Sequence, residues 1–157
     1  MTDIQPSQQV SNDPPQTIGT RKDLGRLLVI DDDPSICILI EKLGEKNGFI
    51  ATRAVSLEDA RETVRAHHFD CITLDLGIGK NSGVEVLNIL AEMACTTPII
   101  IISGSMRSMR DFAVDIGKTM QLDLEQLPKP IDFAVLRAKL SNIKAKLDLK
   151  RQTEAGV

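Results

Sequence analysis

Short apolar runs alternate with amphipathic stretches along most of this chain, and the alternation sets its expected architecture. Leu27-Leu28-Val29-Ile30, Cys71-Ile72-Thr73-Leu74 and Ile99-Ile100-Ile101-Ile102 are almost unbroken apolar runs. Such runs suit central strands covered on both faces. Strands are expected over 26–31, 49–54, 69–75, 98–103 and 122–127. Between them, helical spacing predicts helices from Pro34 to near Gly48, then over 57–66, 82–93, 107–118 and 132–150.

Local signals support these bounds. Asp33 is placed to cap the first helix, Pro34 suits its first turn, and Gly48 suits a left-handed end. Ser56 and Asp59 have capping-box spacing. Val84, Leu87 and Leu90 are expected along one side of the third helix, and Leu136, Leu140, Ile143 and Leu147 along the buried stripe of the last. Alternating strands and helices with right-handed crossovers give an α/β fold with helices on both faces of a parallel sheet. Residues 1–24, rich in Gln, Pro, Ser, Thr and Asp without apolar periodicity, are expected to form a disordered tail. The folded domain is expected over 25–150, with a frayed end at 151–157.

Composition narrows the function. The 157 residues suit one domain, 42% are apolar, and the net charge is −3. No basic cluster interleaved with aromatics points to nucleic acid. No apolar run is long enough to span a bilayer, and no secretory leader pattern opens the chain, so a cytoplasmic protein without membrane contact is expected. Cys37, Cys71 and Cys95 lack metal-ligand spacing, and reduced thiols are the simplest reading.

The chemistry sits at the strand ends. Asp31-Asp32, Asp75, Ser103 and Lys129 each follow an apolar run. In a parallel sheet all would meet at the carboxyl edge, where such folds bind ligands. Three crowded aspartates repel, and a divalent cation relieves the repulsion. All-oxygen ligands without His or Cys favour Mg²⁺ (or Mn²⁺) over Zn²⁺. A carboxylate beside the metal can attack a phosphoryl donor, and a lysine can neutralise the equatorial oxygens. Lys129, held between Pro128 and Pro130, is the lysine at a strand end, and a cis Pro130 would aim it inward. Ser103 offers a hydroxyl, and Gly104 permits close backbone approach. Alone, a strand-end serine is usually a turn former and a loop lysine is usually solvated; their company raises both.

These residues resemble the receiver domains of two-component response regulators. The resemblance covers about residues 26–148 and rests on Val29-Ile30-Asp31-Asp32-Asp33-Pro34, on Leu74-Asp75-Leu76 with Gly83 eight residues after the aspartate, on Ile102-Ser103-Gly104 and on Lys129-Pro130. It implies a flavodoxin-like (βα)5 doubly wound parallel sheet in order 2-1-3-4-5. It also implies Asp75 as phosphoacceptor, Asp32 as a direct Mg²⁺ ligand, Asp31 acting through water, and Gly77 giving its backbone carbonyl to the metal. Ser103 would be the switch hydroxyl and Lys129 the phosphoryl partner.

The implied partners are a sensor histidine kinase or phosphotransfer protein, and a downstream protein target on the helix over 107–118, the strand over 122–127 and the helix over 132–150. A homodimer is compatible with that face. With no effector domain recognised, a stand-alone bacterial receiver is expected, a signalling switch rather than an enzyme. The stretch from Ser103-Gly104-Ser105 to Lys129-Pro130-Ile131-Asp132 is similar to receivers associated with cyclic-di-nucleotide phosphodiesterases.

Three positions depart from the family pattern. Gly79 stands where proline is usual, Gln126 replaces the switch aromatic, and Ser103 and Lys129 are separated by a longer stretch than is common. The stretch from Gly77 to Gly83 is expected to be a flexible loop. Two other readings remain. Asp31-x-Asp33 resembles the nucleophile motif of haloacid dehalogenase-like phosphatases, and a degenerate receiver would bind partners without phosphorylation. Gly79-Lys80-Asn81-Ser82 fails as a phosphate loop because Leu74 and Asn81 occupy required positions. His67-His68 reads as a solvated helix end, and the basic residues from Arg137 to Arg151 as the wet side of the last helix.

Overall fold

The computed structural model describes residues 23–81, 83–104, 111, 115 and 117–156. Most of the expected N-terminal tail, residues 1–22, lies outside them, as does most of the helix expected over 107–118. The strands are β1 (Gly25–Ile30), β2 (Phe49–Ala54), β3 (Cys71–Asp75), β4 (Ile99–Ser103) and β5 (Leu124–Pro128). They form one parallel sheet in the expected order β2-β1-β3-β4-β5. The helices described end to end are α1 (Pro34–Lys46), α2 (Leu57–Ala66), α3 (Ile78–Asn81), α4 (Gly83–Glu92) and α5 (Phe133–Ala155).

Strand alternation divides the core in two. Leu28, Ile30, Ile72, Leu74, Ile99 and Ile101 pack toward Val64 of α2 and Val86, Leu87 and Leu90 of α4. Leu27, Val29, Cys71, Ile100 and Ile102 pack toward Cys37 and Ile40 of α1 and Leu136, Leu140 and Ile143 of α5. Each large side chain so buried contributes about 1.5–3 kcal/mol relative to exposure. Near-continuous apolar strands are what two covered faces require.

The caps explain where the helices start. Asp33 accepts the Ser35 and Ile36 amides at the head of α1, with Pro34 in the first turn. Gly48, just beyond α1, has φ +87°, a backbone that glycine adopts without strain. Ser56 Oγ accepts the Asp59 amide at 3.1 Å. The return bond of the expected capping box differs, because Asp59 Oδ2 takes the Val55 amide at 3.0 Å.

Three expectations are corrected. The stretch after β3 is not an open loop: residues 78–81 form the helical turn α3 before α4 begins. Ile78 is fully buried and anchors that turn. Gly83 passes so close to the residue that follows β3 that an added Cβ would stand 2.5 Å from the Leu76 Cα. Second, Val84 is only half-buried; the face of α4 is made by Val86, Leu87, Ile89 and Leu90. Third, α5 continues through Ala155. Arg151 Nη1 donates to the Leu24 carbonyl at 3.2 Å and Nη2 to Asp70 Oδ2 at 3.4 Å, which ties the last turns to the body. Nor are the basic residues of α5 uniformly solvated, since Lys139 pairs with Glu125 and Lys144 with Asp148.

Candidate functional site

The loops at the carboxyl ends of β1, β3, β4 and β5 converge, because these strands are neighbours in register. Ile30 pairs with Leu74, Asp75 with Ile102, and Ser103 with Pro128. Asp31, Asp75 and Ser103 are buried and Asp32 is exposed. One carboxylate oxygen from each of Asp31, Asp32 and Asp75 lies within 4.8 Å of the others.

Each of the three acids also accepts one backbone amide. Asp31 Oδ1 accepts from Asp33 at 2.8 Å, Asp75 Oδ1 from Gly77 at 2.9 Å, and Asp32 Oδ2 from Gly79 at 3.4 Å. The Lys129 ammonium sits 3.1 Å from Asp75 Oδ2. Its peptide bond to Pro130 is cis, and its amide donates to the Ser103 carbonyl at 3.0 Å. Gly104 clears room for the lysine stem, since a Cβ there would stand 3.2 Å from the Lys129 Cβ. The four strand ends singled out in the sequence therefore meet at one edge.

Electrostatics mark Asp31 as the strained member. Its carboxyl is pushed above the ordinary value. Burial is the largest cause; the Asp33 amide lowers it, the Asp75 charge raises it, Lys129 lowers it and Asp32 raises it. Asp31 Oδ2 is buried with no hydrogen-bond partner among the described residues. A divalent cation would satisfy that oxygen, and the all-oxygen donor set suits a hard ion.

Sequence reading missed two participants and one buried hydroxyl. The Gly79 amide on Asp32 was hidden because a glycine in a loop carries no chemical signal of its own. Cys37 donates its thiol to the Asp31 carbonyl at 3.3 Å. Burial foremost, with the Asp31 charge next, raises that thiol to about 11, so it stays protonated and unreactive. Thr73, two residues before Asp75, is buried with its hydroxyl unpartnered among the described residues. Strand alternation was the available signal, since it puts Thr73 on the face of β3 that Asp75 shares.

A model of the response regulator receiver domain matches residues 27–141. This chain belongs to that family. The receiver is 32% identical over 114 residues to the transcriptional regulatory protein ZraR of Escherichia coli, covering 73% of this chain and 25% of that protein. It is 29% identical over 118 residues to the transcriptional regulatory protein DltR of Streptococcus agalactiae, covering 73% of this chain and 50% of that protein. It thus spans a quarter to a half of the length of these relatives.

Among solved structures, the receiver domain of the Francisella response regulator 1452 superposes with a TM-score of 0.68 at 25% identity, over 78% of this chain and 98% of that one. A Burkholderia pseudomallei response regulator solved with a phosphorylated aspartic acid, a calcium ion and citrate has a TM-score of 0.64 at 24% identity, over 83% of this chain and 74% of that one. The receiver is thus a signalling module of the two-component type with the CheY-like, flavodoxin-like sheet. No helix among its described residues is long and apolar enough to cross a membrane.

Proposed function

We propose that this receiver takes a phosphoryl group from a histidine kinase or phosphotransfer protein onto Asp75 and acts as a phosphorylation-controlled binding switch. The observation that carries the reading is the Lys129 ammonium 3.1 Å from Asp75 Oδ2, beside the three-carboxylate grouping. Asp75 Oδ2 is the attacking oxygen. The Lys129 ammonium follows the charge onto the transferred group, and the Ser103 hydroxyl donates to one of its oxygens. Gly77 keeps Asp75 oriented through its amide bond to Oδ1. Asp31, Asp32, Asp75 and the Gly77 carbonyl would hold Mg²⁺ (or Mn²⁺), which supplies charge neutralisation at the phosphoryl oxygens. The phosphorylated aspartate and calcium ion of the Burkholderia neighbour are chemistry of the same kind.

The donor surface follows from the same end of the fold. Ile38 and Leu39 in the first turns of α1 and Phe133 and Val135 in the first turn of α5 are exposed, and α1 and α5 both open just after site residues. Exposed apolar side chains beside a polar pocket suit a protein phosphodonor. The downstream partner is assigned to the face of β5, α5 and the segment over 107–118 where a helix is expected from the sequence, and phosphorylation alters it only through its differential interaction with two states. Asp33, the second acid of the phosphatase-like Asp31-x-Asp33 pattern, is engaged in capping α1, which weighs against that alternative.

Treatment of the wild-type chain with acetyl phosphate and Mg²⁺, followed by intact mass, is expected to show one added phosphoryl group, and Asp75→Asn none. Equal labelling of both proteins would remove Asp75 from its role. Phosphatase turnover lost in Asp31→Asn and kept in Asp75→Asn would favour the dehalogenase-like reading. Absence of any Mg²⁺ affinity would favour phosphorylation-independent binding.

A further inference from the structure

Two amides of one short segment hold two acids that belong to different strand ends. Gly77 donates to Asp75 Oδ1 at 2.9 Å and Gly79 to Asp32 Oδ2 at 3.4 Å. The first bond is local; the second spans 47 residues of sequence. A proline at position 79 would have no N–H to give, so this contact depends on the glycine that departs from the family pattern. The backbone there is also unusual, with φ +42° at Gly79, a region that side chains rarely adopt. Ile78, between the two amides, is fully buried, so the segment is anchored on one side and in contact with the acids on the other.

The Gly79 contact is also the longest of the three amide bonds to the cluster. A hydrogen bond of this length is weak even with a charged acceptor. Asp32 is the exposed member of the cluster, free to reorient where Asp31 and Asp75 are packed in place. The anchored pair of acids and the loosely held third therefore differ in what a cation can change.

We propose that the Gly79 amide is a positioning group that holds Asp32 in the cation-free protein and is released when Asp32 turns to a divalent cation, so that loading the site shifts the backbone at Gly79. This rests on the cation-binding reading above. It makes the segment after β3 a reporter of site occupancy, reached through the Asp32 carboxylate.

The test is amide NMR of the full chain, with Gly79→Ala used to identify the Gly79 resonance. In EDTA, Asp32→Ala is expected to speed hydrogen exchange at the Gly79 amide by roughly threefold to tenfold, the loss expected for one long, weak hydrogen bond, and to leave the Gly48 amide unchanged. On titration of wild type with Mg²⁺ alone, the Asp31, Asp32, Asp33 and Gly79 resonances are expected to shift together with one apparent Kd. Exchange at Gly79 unaffected by Asp32→Ala overturns the proposal irrespective of the cation. Shifts at Asp31 to Asp33 without any at Gly79 overturn it while leaving cation binding intact. No Mg²⁺-induced shift at any of these amides removes the cation reading and the proposal together.

Discussion

Replacing Asp31 by asparagine isolates the electrostatic strain of the cluster. Asp31 is 1% exposed, and one of its oxygens lies within 4.8 Å of an oxygen of Asp75. At an effective dielectric constant of about 20, two such charges repel by about 3 kcal/mol. The Asp33 amide and Lys129 offset part of this. The asparagine side chain would keep an Oδ1 for the Asp33 amide, and its NH₂ could donate to the neighbouring carboxylates where Oδ2 now has no partner. Without cation, Asp31→Asn is expected to be more stable than wild type by about 1–3 kcal/mol. A cation acts in the opposite direction and narrows the difference. At one hundred times its Kd it stabilises wild type by about 2.7 kcal/mol, and the variant, with one charged ligand fewer, gains less.

The pH dependence has a definite sign. The folded carboxyl lies above its unfolded value of 3.8, so the folded state binds the proton more tightly. The stabilising effect of protonation is fully present below 3.8 and is lost as pH rises through the raised folded value. Cation-free wild type therefore gains stability on acidification through that window from this group, and Asp31→Asn does not. Urea denaturation followed by circular dichroism, in EDTA and in Mg²⁺ from about pH 4 to about pH 8, reads all three effects. A variant less stable than wild type in EDTA, or equal Mg²⁺ stabilisation of both proteins, would refute the reasoning.

Three further substitutions probe separate features. Lys129→Met removes the ammonium at Asp75 and is expected to slow labelling by acetyl phosphate at least about a hundredfold, and to lower the urea midpoint in EDTA because the buried Asp75 carboxylate loses its counter-charge; labelling at the wild-type rate would exclude Lys129 from the transfer. Thr73→Val removes a buried hydroxyl with no partner among the described residues while keeping its shape, and is expected to stabilise by about 1 kcal/mol; destabilisation in urea would show that the hydroxyl is bonded. Ala94 and Gln121 are exposed residues with φ of 51° and 57°, just beyond helical segments, and Ala94→Gly or Gln121→Gly is expected to add up to about 1 kcal/mol; a fall in thermal midpoint for both would contradict the strain assigned there.

Much of this protein was legible in one dimension because its signals are local. The strand runs had to be apolar on both faces, so they stood out unaided. Asp33, Pro34 and Gly48 marked α1 by the short-range geometry of helix ends, and the structure places them in those roles. The strand-end acids and Lys129 were visible as polar residues interrupting apolar runs. The turn at Ile78–Asn81 was not, because Gly79 and Lys80 within it and Gly77 before it read as a loop; burial of Ile78 against distant residues outweighs that weak local preference. The last turns of α5 were likewise misread, since the partners of Arg151 lie 127 and 81 residues away in sequence.

The sequence by itself determined the alternating α/β plan and which side chains stand at the carboxyl ends of the strands, because hydrophobic periodicity and caps act over a few residues. Only the tertiary structure decided the distances among those side chains, which acid lost its solvent, and which amides answer each carboxylate. Those are properties of strand register and of burial between chain segments far apart, and no local pattern encodes them.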